Sequence, residues 1–145
     1  MIEAGASINA LAQKKVTALN LAAQKGHVKV LQVLIHHRAV DIPRHDGANA
    51  VFSAAWLGNY ECLQLLLVSG YAPKHTFKGD SPLNMASWEG HADIVELLLL
   101  NGATFEPDLE KEMTPLHSAT KKNRMGCARV LLKHGADPTL RDKVG

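Results

Sequence analysis

Ser81-Pro-Leu-Asn-Met-Ala-Ser-Trp-Glu-Gly-His91 is the stretch on which the fold turns. It opens on a hydroxyl that can accept from the first free backbone donors of a helix, and it places Pro82 where no N–H is needed. It closes on Gly90, a residue that tolerates the left-handed conformation in which helices stop. The same pattern returns at Thr17 to His27, Asn49 to Asn59 and Thr114 to Arg124, with starts 32, 32 and 33 residues apart. Each copy is followed by an apolar stretch: Val30 to Ile35, Cys62 to Val68, Ile94 to Leu100 and Cys127 to Leu132.

Each unit therefore reads as two short antiparallel helices. The first helices are expected over 18–25, 50–57, 82–89 and 115–122, and the second over 28–37, 60–69, 92–101 and 125–134. Gly26, Gly58 and Gly90 end the first helices, and Asn123, the next most tolerant residue, stands in their slot in the fourth unit. Gly70, Gly102 and Gly135 end the second helices, whereas Arg38 fills that slot in the first unit and is expected to strain its turn. No such pair can bury its apolar stripe alone. Stacked pairs share one continuous core, which predicts an all-α repeat solenoid with turn or hairpin tips.

At this point the chain resembles the ankyrin-repeat family. The resemblance is carried by Ser81-Pro82-Leu83-Asn84, Thr114-Pro115-Leu116-His117, Gly26-His27, Gly90-His91, Gly102-Ala103 and Gly135-Ala136-Asp137. It recurs four times and divides the chain into a partial repeat over 1–11, repeats near 12–43, 44–75, 76–108 and 109–141, and the opening of a further repeat at 142–145. Two departures are local: Asn49-Ala50-Val51-Phe52 lacks the proline and the polar fourth residue, and Asn123-Arg124 replaces Gly-His. Both ends match interrupted repeats, so the sequence is expected to be part of a longer array inside a larger protein.

Composition narrows the function. The 145 residues are 46% apolar and 21% charged, a balance that folds. A net charge of +2 argues against a dedicated nucleic-acid or membrane-surface binder. No apolar run approaches the length of a bilayer span, and no basic start with an apolar block marks a secretory signal. With two cysteines and no Asn-x-Ser/Thr sequon, an intracellular setting is expected, cytoplasmic or nuclear.

Chemistry finds little support. His27 and His91 share one slot on separate units, and the resemblance gives His117 the role of hydrogen-bonding neighbouring turns. His36 and His37 point about 100° apart on a helix and do not chelate one ion, while a cation at His134 suits a helix C-terminus. Cys62 and Cys127 share an inward slot two repeats apart, on the order of 20 Å, too far for a disulfide. No phosphate loop, nucleophile elbow or HExxH motif is present, so neither catalysis nor a metal, cofactor or small-molecule substrate is expected.

The resemblance implies a partner in the groove made by the tips and the outward face of the first helices. Onto those slots fall Lys25, Trp56, Leu57, Trp88, Glu89, Lys121 and Lys122 from the helices, and Phe77, Lys78, Asp80, Lys111 and Met113 from the tips. Aromatics make up only 5% of the chain, yet both tryptophans occupy the same slot, 32 residues apart. That marks an interaction anchor, although each indole could instead pack on its neighbouring repeat as partial core. Residues 110 to 145 carry eight Lys and Arg against four acids, leaving a charge of −2 upstream. A peptide with an apolar anchor and an acidic flank would fit. The array is thus expected to be a non-catalytic protein-interaction module. The alternatives are a substrate-recognition segment of a ubiquitin ligase or other enzyme, and an intramolecular structural or autoinhibitory segment.

Overall fold

The computed structural model describes residues 16–73, 77, 79–105, 107 and 112–142. Four helix pairs follow one another: α1 (Ala18–Lys25) with α2 (Val28–His36), α3 (Ala50–Leu57) with α4 (Tyr60–Val68), α5 (Pro82–Glu89) with α6 (Ala92–Leu100), and α7 (Pro115–Lys121) with α8 (Met125–Lys133). First helices pack on first helices and second on second, so the pairs form two rows along the stack.

The first helices start where the sequence placed them because their caps are made. Thr17 Oγ1, Asn49 Oδ1, Ser81 Oγ and Thr114 Oγ1 accept from the backbone N–H three residues on, at 3.1, 2.8, 3.1 and 3.3 Å. Gly26, Gly58 and Gly90 close three of them in the left-handed region, and Asn123 adopts the same conformation at φ 57°. Its amide donates to Thr120 O, three residues back, where Gly90 N reaches Ala86 O, four back. That tighter turn ends α7 at Lys121, one residue sooner than expected. Arg38, at φ 60°, takes the strained turn without a glycine. The second helices also stop one residue before the expected ends.

The core is aliphatic. Leu19, Leu31, Leu63, Leu66, Leu83, Ile94, Leu98 and Leu131 are fully buried, each worth about 1.5–3 kcal/mol against exposure. Buried alanines at 22, 23, 54, 55, 86 and 119 let the first helices approach closely. At the tip of the third repeat, Phe77 and Asp80 form a short antiparallel bridge, exchanging two backbone bonds of 2.9 Å.

The partial repeat over 1–11 and residues 143–145 lie outside the described residues, as do Lys78 and Lys111 of the candidate face.

Candidate functional site

A ladder of polar side chains sets the spacing of the first-helix face. Asn59 Nδ2 donates to Ala23 O and Gln24 O at 2.8 and 3.1 Å, His91 Nε2 donates to Trp56 O at 3.1 Å, and Arg124 Nε donates to Trp88 O at 3.1 Å. All three residues open a second helix and reach back to the end of the preceding repeat's first helix. They satisfy carbonyls that the helix leaves without partners. None caps its own helix, because its side chain is already engaged. Arg124, read as a departure from Gly-His, makes the same bond as His91.

A second ladder ties the first helices to the tips. Asn20 Nδ2 donates to Ala48 O and Asn84 Nδ2 to Met113 O, both at 3.2 Å. His117 holds the turn after α8: its Nδ1 accepts from Thr114 N at 3.1 Å, and its Nε2 donates to Leu140 O at 2.9 Å. The equivalent slot in the second repeat is Phe52, which is 0% exposed. Its ring packs on Phe77 of the next tip at 5.7 Å and on Trp56 at 6.2 Å. One polar bridge has been exchanged for an aromatic junction.

The candidate face divides on this scaffold. Trp56 is half-buried and stacks on Phe77 at 5.8 Å, so both belong to the aromatic junction as well as to the surface. Trp88, in the equivalent place on α5, is also half-buried, and the Lys122 ammonium sits 4.9 Å above its ring. Leu57 is 45% exposed beside Trp56. Lys25, Lys121 and Lys122 are exposed, while Glu89 and Asp80 are partly covered. Met113 does not belong to this face. It is 3% exposed, because the residue preceding Thr114 turns inward where Asn84 grips its carbonyl.

Elsewhere, an apolar groove of about 600 Å³ runs between the turns after α4 and α6, with Leu67, Tyr71, Pro73 and Ala103 among its walls. No described residue lining it is charged. Both cysteines are buried free thiols. Burial pushes Cys127 up to about 11, with Arg124 opposing and Asp93 adding to the shift, and burial followed by Glu61 raises Cys62. Among the described residues no three His, Cys, Asp or Glu side chains gather as metal ligands, and no helix is long and apolar enough to cross a membrane.

Phe52, Asn59 and Arg124 were absent from the expected site although all three position it. The signal for Asn59 and Arg124 was their shared slot with His91. For Phe52 it was an aromatic in a slot otherwise held by Asn or His.

The sequence also has recognisable relatives. A family model described as ankyrin repeats (3 copies) matches residues 1–76 and 68–142. The chain is 29% identical over 145 residues to the nuclear factor NF-kappa-B p105 subunit of Gallus gallus, covering 95% of this chain and 15% of that protein. It is 32% identical over 74 residues to the p105 subunit of Rattus norvegicus, covering 48% of this chain and 8% of that protein. The chain thus spans a small part of the length of the curated relatives it matches.

Proposed function

We propose, because this chain belongs to the ankyrin-repeat family, that it is a non-catalytic interaction segment taking a peptide or protein partner along the first helices and tips. Fold alone does not assign a partner, so the proposal rests on the surface. The observation that carries it is the pairing of Trp56 and Trp88 in equivalent places on two packed helices, beside exposed Leu57. Each indole is already held, by Phe77 and by Lys122 respectively. A partner would therefore spend little on ordering them. Lys25, Lys121 and Lys122 supply charge around this apolar centre, which suits a partner with an apolar anchor and an acidic flank.

The test is selection of a displayed random peptide library on the chain. Enrichment of peptides with a large apolar residue supports the proposal, provided that Trp88→Ala abolishes the enrichment. Enrichment unaffected by Trp88→Ala, or none at all, overturns it.

The short span of the relatives that this chain covers favours a second arrangement of the same face. In it the partner is another segment of the same longer polypeptide, or a substrate brought to a catalytic segment elsewhere in it. An intracellular setting, cytoplasmic or nuclear, accords with the nuclear-factor relatives.

A further inference from the structure

We infer that the cleft between α7 and the turn at 138–142 reads carboxylate side chains of the partner, with Lys121 and Arg141 as the two residues that grip them. The inference rests on the function proposed above and gives its acidic flank a place.

The cleft exists because of His117. Its Nδ1 accepts the Thr114 backbone N–H, which leaves the ring proton on Nε2, and that N–H donates to Leu140 O at 2.9 Å. The turn after α8 is thereby drawn beside α7. Between them lies a cavity of about 540 Å³, with Lys121 and Arg141 among its lining residues. Both are exposed, and neither forms an ion pair with a described residue.

The neighbouring lysine has another task. Lys122 lies over the Trp88 ring at 4.9 Å and belongs to the apolar anchor, while Lys121 belongs to the cleft. The adjacent pair thus joins the two parts of the proposed face. Asp142 also lines the cleft and is half-buried. Among the described lining residues, two cations against one acid leave a single positive charge to be answered. Monoanionic carboxylates match that better than a dianionic phosphate, which Asp142 would repel more strongly. The guanidinium of Arg141 offers the fork that a carboxylate accepts.

The test compares peptide pools selected from one displayed random library on the wild-type chain and on Lys121→Gln/Arg141→Gln, with circular dichroism and thermal unfolding as fold controls. The wild-type pool should carry Asp or Glu on one side of an apolar anchor, and the variant's pool should keep the anchor and lose the acids. A synthetic peptide from the wild-type pool should bind the variant about tenfold more weakly, with most of its salt dependence gone. Acid enrichment that persists in the variant overturns the inference, as does an anchored wild-type pool without acids; either leaves the proposed function standing. A wild-type chain that enriches no peptide overturns both. Stronger capture of the same peptide bearing phosphoserine in place of Glu overturns the choice of carboxylate.

Discussion

Phe77 lies stacked on Trp56, with ring centroids 5.8 Å apart and planes inclined by 27°, and both rings rest on Phe52. A residue from the tip of one repeat is thereby joined to the first helix of the repeat before it. Phe52 provides the buried floor in a slot where other repeats use Asn or His. Phe52→Ala should therefore cost about 3–5 kcal/mol of stability, and Phe77→Ala about 1 kcal/mol. Urea unfolding with an unchanged m-value reads both. Losses of equal size would contradict the assignment of Phe52 as the floor.

Gly58 and Gly70 separate two costs that a glycine can avoid. Both are left-handed, at φ 78° and 96°, but a Cβ on Gly58 would stand 2.9 Å from His91 Cε1, while nothing lies within 4 Å at Gly70. Gly70→Ala should cost about 1 kcal/mol, from backbone conformation alone. Gly58→Ala should cost about 2–3 kcal/mol, because it also pushes His91 off the Trp56 carbonyl. Equal losses in chemical unfolding would mean that the ladder contributes nothing.

Glu96 ties α6 to α8, its Oε1 accepting from His134 Nε2 at 3.2 Å and from Lys133 Nζ at 3.3 Å. Those bonds, His134 first, hold its carboxyl below the ordinary 4.5. A carboxyl whose pKa is lower folded than unfolded adds stability above the unfolded value, and the gain fades as pH falls through the folded one. Part of the acid-side loss of stability below about pH 4.5 should therefore belong to Glu96. In Glu96→Gln that limb of the stability–pH curve should flatten, with a small change near neutrality. An unaltered acid limb would show that the tie is not made in solution.

Cys62 and Cys127 should resist iodoacetamide at neutral pH, because their thiols are buried and their ionisation is pushed upward. Mass spectrometry should find both alkylated only in denaturant. Rapid labelling of Cys127 in the folded chain would contradict the packing of α8 on α6.

Much of this was legible in the sequence because repetition supplies its own control. Four caps, three glycines and the Asn123 substitute fall where backbone chemistry demands them, and the helix starts follow. Boundaries drifted by a residue at the second-helix ends, where the last residue before the glycine or Arg38 leaves the helix although the turn itself falls where expected. The site was less legible. The slot of Met113 placed it on a tip, but a residue's facing depends on whether a neighbouring repeat claims its carbonyl, as Asn84 does. The half-burial of Trp56 depended on Phe52 and Phe77, which come from two different repeats. Periodicity within one repeat carries no information about such a meeting. Arg124 shows the reverse: an unlike residue in a shared slot performs the same bond, so slot was a better guide than residue type.

The most direct measurement is the affinity of a peptide selected on the wild-type chain for Trp88→Ala, read by fluorescence anisotropy beside thermal unfolding of the same sample. Trp88 suits it better than Trp56, whose removal would also open the aromatic junction. The expected loss is about 2 kcal/mol, roughly thirtyfold in Kd, with the unfolding midpoint nearly unchanged. Unchanged affinity in the folded variant would contradict it.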